Sequence, residues 1–181
     1  KRQLRDGVVG DFDVLLEDDD QRRYLRLRGE NTGYDDQRYW LEGGRYGRIR
    51  FEAFYGELPR LFSVDARTLY QRSSDGETLR LPAGVQAGIA GAADPAAALA
   101  AALEDAEPVD LELRWIEGRS GFEATLGEDW TVDARYRIQD KRGARPLSWG
   151  FGSPGGSFDT LPAPVDEQIH ELTVGTEYGQ E

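Results

Sequence analysis

The chain has 181 residues, 39% hydrophobic and 31% charged, with a formal net charge of −12, no cysteine and no methionine. The acidic balance argues against a nucleic-acid binder, which needs a basic face to displace counterions, and against a polybasic membrane-surface module. The lack of cysteine excludes disulfides, thiolate metal sites and covalent c-type haem attachment, and no run of 18 apolar residues offers a membrane-crossing helix. A mean hydropathy of −0.63 suits a soluble protein and equally a membrane barrel, in which only alternate residues of each strand meet lipid.

The chain opens on Lys1 with neither an initiator methionine nor a signal peptide, as expected of a mature chain or one lacking its N-terminal part. Gly10 to Glu17 then carries Phe12, Val14 and Leu16 on one face, and the acidic run Asp18–Asp20 makes a turn. Arg23 to Gly29 alternates Leu25 and Leu27 against Arg26 and Arg28. After a turn over Asn31–Asp36, a strand is predicted over Arg38–Tyr46. Another over Arg48–Tyr55 sets Ile49, Phe51, Ala53 and Tyr55 against Arg48, Arg50 and Glu52. Period-two alternation is the signature of a half-buried strand.

Leu58 to Pro108 reads as one long excursion, with Pro59, a Ser-Ser-Asp-Gly turn at 73–76 and Pro82. Asp94 as N-cap and Pro95 in the first helical position predict a short helix to about Asp105. Strands resume at Val109, with Leu111, Leu113 and Trp115 alternating with Glu112 and Arg114, and Phe122, Ala124 and Leu126 with Glu123 and Thr125. The clearest strand is Trp130–Gln139: Trp130, Val132, Ala134, Tyr136 and Ile138 face one way, Thr131, Asp133, Arg135, Arg137 and Gln139 the other. Lys141–Pro164 reads as a Gly- and Pro-rich loop, and a last strand from about Gln168 to Tyr178 carries His170, Leu172, Val174, Thr176 and Tyr178 on one face. The chain stops at Glu181 just after this strand, which suggests that a C-terminal part is also missing.

The sum is an all-β chain of about eight antiparallel strands, over about 8–57 and 109–179, with one helical insert in a long loop at about 58–108. Most strands approach the 9–11 residues a tilted membrane strand needs. Aromatics near strand ends (Tyr24, Tyr39, Trp40, Tyr46, Tyr55, Trp115, Trp130, Tyr178) suit interfacial girdles. Pattern alone leaves two architectures open, an up-and-down transmembrane β-barrel and a soluble β-sandwich or barrel. It leaves open a general solute porin and a soluble all-β binding module as functions.

Four stretches carry a resemblance. They are RGENTGYDDQRYWLEGGRYGRIRF (28–51); ELPRLFSVDARTLY (57–70) followed by LRLPAGVQAGI (79–89); GEDWTVDARYRIQDKRGARP (127–146); and LPAPVDEQIHELTVGTEY (161–178). Their order and spacing resemble the N-terminal part of the MtrB/PioB family of outer-membrane barrels, the porin partners of multihaem c-type cytochromes. Members of that family are several times longer, so the resemblance implies that these strands are part of a larger barrel. The C-x-x-C pair that some members carry is absent from this sequence.

The resemblance implies a Gram-negative outer-membrane sheath that surrounds a periplasmic multihaem c-type cytochrome and insulates it from lipid. An extracellular multihaem cytochrome is a further implied partner. Haem c would be carried by the partner and no cofactor by the barrel, in keeping with a single histidine and no cysteine or methionine to ligate haem. A lumen that holds a protein needs a charged wall. The lumen- or partner-facing candidates are Arg26, Arg28, Arg48, Arg50, Glu52, Glu112, Arg114, Glu123, Asp133, Arg135 and Arg137. The lipid-facing candidates are Ile49, Phe51, Val132, Ala134, Ile138, Leu172 and Val174.

No catalytic or metal constellation stands out. No motif surrounds His170, the only histidine. The acidic runs Asp18–Asp20 and Asp35–Asp36 lack EF-hand spacing and read as exposed turns. The glycines of WGFGSPGGSF do not open a helix, which argues against a phosphate cradle. No acidic pair is singled out for glycoside chemistry.

Overall fold

The computed structural model describes residues 9–74, 78–127, 129–151 and 157–179. Four strands follow one another from the start: β1 (Gly10–Asp18), β2 (Arg23–Thr32), β3 (Arg38–Arg45) and β4 (Ile49–Arg67). A two-stranded ribbon, β5 (Gln71–Arg72) and β6 (Leu79–Arg80), precedes helices α1 (Val85–Ala90) and α2 (Pro95–Glu104). Three long strands complete the chain, β7 (Pro108–Leu126), β8 (Trp130–Phe151) and β9 (Ser157–Tyr178). The main sheet has the order β1-β2-β3-β4-β7-β8-β9, so neighbours in sequence are neighbours in space, with β5–α2 inserted between β4 and β7. The sheet is open, as expected of part of an all-β barrel. The pairs β1–β2, β2–β3 and β3–β4 are antiparallel.

The chain forms two compact units. The first comprises residues 1–60, 114–142 and 166–181, the second residues 61–113 and 143–165. In the first, registry is set by tight hairpins. Asp18 Oδ1 accepts from Gln21 N at 3.1 Å in the β1–β2 turn. In the β3–β4 turn Arg48 N donates to Arg45 O at 3.0 Å around Gly47, whose φ of +75° is easily reached only without a Cβ. Cross-strand rows are apolar on one face, Val14–Leu27–Leu41–Ala53 and Leu16–Leu25–Gly43–Phe51, and mix charged with aromatic and apolar residues on the other, Asp13–Arg28–Trp40–Phe54 and Leu15–Arg26–Glu42–Glu52. Gly43 is a packing residue, because a Cβ there would lie 2.7 Å from Phe51 Cζ.

In the second unit, α2 begins as the sequence predicts. Asp94 Oδ1 accepts from Ala96 N and Ala97 N, each at 3.1 Å, and Pro95 occupies the first turn. The guanidinium of Arg67 closes the other end of α2, donating to the carbonyls of Leu103, Glu104 and Ala106.

Three expectations differ from the structure. The excursion does not begin at Leu58, since β4 continues to Arg67. Lys141–Pro164 is mostly strand, with β8 reaching Phe151 and β9 starting at Ser157. The insert carries a second short helix, α1. The first two share one cause: Pro59, Pro146, Pro162 and Pro164 look like strand breakers, yet each removes a single ladder donor, about 1 kcal/mol net, from a strand of 19 to 22 residues. The turn predicted at 73–76 lies partly outside the described residues, as does part of the glycine-rich run at 149–158.

Candidate functional site

Leu111, Ala124 and Ala144 are the buried hydrophobic residues among the described ones. Large apolar side chains stand exposed instead: Leu172 at 71%, Val174 at 68% and Leu16 at 61%. Within the first unit one sheet face is therefore apolar and uncovered, and the opposite face holds the chemistry.

That opposite face is a lattice of ion pairs. Arg26 clasps Asp13 with two hydrogen bonds, Nε to Oδ1 at 2.9 Å and Nη2 to Oδ2 at 2.6 Å, and reaches Glu42 at 3.8 Å. Arg28 pairs with Glu30, and Arg50 with Glu52 at 3.2 Å. Across β7, β8 and β9, Arg137 bridges Glu117 and Glu171, each at 3.0 Å, and Lys141 reaches Glu167 at 3.5 Å. Most of these groups are well exposed, and such pairs contribute about 0–1 kcal/mol each. Their consequence is a wall whose charges are already matched laterally.

Aromatic rings interrupt this wall. Trp40 and Phe54 pack with centroids 5.3 Å apart. The Arg28 guanidinium lies 5.3 Å from the Trp40 ring and that of Arg119 4.3 Å from Phe54, while Lys141 Nζ sits 4.9 Å from Trp115. Around them lie two shallow hollows. One of about 340 Å³ is lined by Arg26, Arg28, Trp40, Glu42, Glu52, Phe54 and Arg119. The other, of about 310 Å³, shares Trp40, Phe54 and Arg119 and adds Leu58 and Trp115. Tryptophan and arginine dominate the energetics of protein interfaces, so this aromatic–guanidinium strip is the most interface-like part of the face.

The sequence candidates divide as follows. Arg26, Arg28, Arg50 and Glu52 share the charged face by register. Glu123, Asp133 and Arg135 line a small groove with Arg50 and Glu52, and Arg137 joins them through Glu117. Arg48 sits in the β3–β4 turn, where its carbonyl accepts from Thr125 N at 2.8 Å. Glu112 belongs to the second unit. Arg114 departs from the set: its Nε donates to Glu57 Oε2 at 2.9 Å, on the face that carries Tyr55 and Ile49. The alternation of β7 explains this. Trp115, Glu117, Arg119, Gly121 and Glu123 form its charged-face row, so Arg114 falls in the row of Phe122 and Ala124. Counting parity back from Glu123 would have revealed both this and the role of Arg119. On the apolar face, Ile49 and Phe51 share rows with Arg45 and Leu25, Ile138 lies against Gly118, and Val132 and Ala134 precede it in the same alternation. Leu172 and Val174 follow His170, whose Nδ1 is 2.6 Å from Tyr136 Oη.

A two-faced open sheet of long strands in sequential order is the expected form of a barrel wall. The family model for outer-membrane β-barrel porins, MtrB/PioB, matches residues 3–181. The chain belongs to this family. Its place is accordingly the outer membrane, which its strands cross. No curated protein matches the chain significantly.

Proposed function

We propose that this chain forms part of the wall of an outer-membrane sheath around a periplasmic multihaem c-type cytochrome. Its apolar face meets lipid and its charged face meets the enclosed protein. The barrel does no chemistry. It excludes lipid and holds the haem chain in place, so that electrons cross an otherwise insulating membrane on the partner's haems. An extracellular multihaem cytochrome would exchange electrons at the outer opening.

The observation that carries the proposal is the strip of Trp40, Phe54 and Trp115 under Arg28, Arg119 and Lys141. Aromatic platforms under guanidinium groups are the kind of anchor that holds a protein partner against a wall. Laterally paired charges suit the same task, since they stay satisfied when water is displaced.

Proteoliposomes with an enclosed redox dye test this. With the full-length barrel and its cytochrome, an external reductant or oxidant is expected to change the dye's colour, and the barrel alone should leave it unchanged. A large ion conductance from the barrel and cytochrome together would refute the sheath and favour a solute porin.

A further inference from the structure

The apolar face of the first unit is bounded at both ends by ionisable side chains on the same rows. At the hairpin end, Asp18, Arg23 and Arg45 stand in register beside Ile49. Three apolar rows follow on β1–β4, and then polarity returns. Gln37 Nε2 and Tyr55 Oη both donate to Glu57 Oε1 at 2.8 Å, and Arg114 closes the cluster, leaving Glu57 2% exposed. On β8 and β9 the face, apolar but for His170 bonded to Tyr136, ends in the same manner, where Arg142 pairs with Asp140 at 2.9 Å and with Asp166 at 3.5 Å. Aromatics lie just inside both limits: Trp130 packs on Tyr178 with centroids 5.0 Å apart, and Tyr39 on Tyr55 at 6.3 Å.

The spacing between the limits has a physical meaning. Gln37, just before β3, and Arg45 at its end are eight residues apart, and Trp130 and Asp140 are ten apart on β8. At about 3.3 Å per residue, with a tilt of about 35–45°, those runs span roughly 19–27 Å along the membrane normal. The apolar band of an outer-membrane barrel is about 25 Å tall. A charged pair facing lipid near the bilayer centre is costly, whereas at the headgroup boundary it is hydrated and the long arginine stem can reach outward.

We infer that these two belts of charged and polar side chains mark the two edges of the lipid hydrocarbon on this face. Gln37, Glu57, Arg114, Asp140, Arg142 and Asp166 mark one edge, and Asp18, Arg23 and Arg45 the other. The occupant of the face between them is lipid acyl chain. The belts fix the vertical position of the wall, because sliding it either way would drag charged side chains into hydrocarbon. The inference rests on the apolar face pointing outward in the proposed function, and not on the identity of the enclosed partner.

Site-directed spin labelling tests it in the full-length protein in outer-membrane lipid vesicles, with the unsubstituted protein as background. Nitroxides would be placed at Ala134→Cys and Leu172→Cys inside the band. Others would stand at Arg142→Cys and Asp166→Cys on one belt, where side-chain exposures of 66% and 84% make the exchanges mild, and at Arg23→Cys on the other. The readout is collision with oxygen, enriched in hydrocarbon, against a water-soluble nickel complex. The logarithm of the oxygen-to-nickel ratio is expected to be positive at 134 and 172 and to change sign at 142, 166 and 23. Positive values at 142 and 166 as well would overturn the belt assignment while leaving the outward face intact. Negative values at 134 and 172 would overturn the outward face and the belts with it. Either result is independent of whether haem co-purifies.

Discussion

Leu172 stands near the middle of the band on β9, six residues from Asp166 and six from Tyr178, and 71% of it is exposed. Replacing it with arginine reads what surrounds it. If the surroundings are acyl chains, a cation near the bilayer midplane costs about 2–4 kcal/mol. At about 1.4 kcal/mol per factor of ten, the folding equilibrium would shift roughly 30- to 700-fold toward the unfolded form. The same substitution at Thr176, closer to Tyr178, should cost about 0–1 kcal/mol. Thr173→Arg, one residue away on the charged face, should stay within about 0.5 kcal/mol of the parent. Denaturant titration of the full-length barrel in vesicles, followed by tryptophan fluorescence, gives all three values. An exposed leucine in water has nothing to lose on becoming arginine. A Leu172→Arg variant as stable as Thr173→Arg would therefore refute the lipid-facing assignment.

Three further outcomes follow from the same geometry. Arg114→Ala removes the cation from Glu57, whose side chain is only 1% exposed and also accepts from Gln37 and Tyr55. It should cost about 1–3 kcal/mol in the same titration, and Glu57→Gln in that background should recover part of the loss. Trp40→Ala and Arg119→Ala should leave the barrel's unfolding unchanged but weaken partner retention, by about 1–2 kcal/mol each as interface anchors, measured as cytochrome released from immobilised barrel in a wash series. Tyr46, in the β3–β4 turn, donates its hydroxyl to Glu17 Oε1 at 2.9 Å, and this bond to a carboxylate raises the phenol above its ordinary value. A raised folded value means that the stabilisation is present below the unfolded value of about 10 and fades as pH climbs through the folded one. Ultraviolet titration should find one tyrosine ionising later than in Glu17→Gln.

Much of the wall was legible because barrel strands write their two faces into alternate residues. Trp130–Gln139 keeps this alternation without exception, and the structure runs β8 straight through it. The β1–β4 meander was equally readable, since each of its turns is marked by Asp, Asn or Gly. The ends of the long strands were not readable. Proline is a sound breaker in short strands, but in strands of about twenty residues the remaining ladder carries the loss of a donor. The pairing of faces was also hidden. Phe54 and Arg119 are 65 positions apart, and only the register between β4 and β7 brings them together, so no local pattern could identify the aromatic strip. Arg114 illustrates the opposite error. It follows Glu112 in a run that alternates with leucines, yet two residues on from Trp115 the charges switch parity, and the count from Glu123 overrides the local pattern.

The central claim is that this wall encloses a haem protein. Its most direct test is an absorption spectrum of the detergent-solubilised native complex, captured through this chain. The sheath predicts a c-type Soret band that shifts on dithionite reduction, with haem staining on a separate polypeptide. An intact membrane preparation that yields the barrel without haem would contradict it.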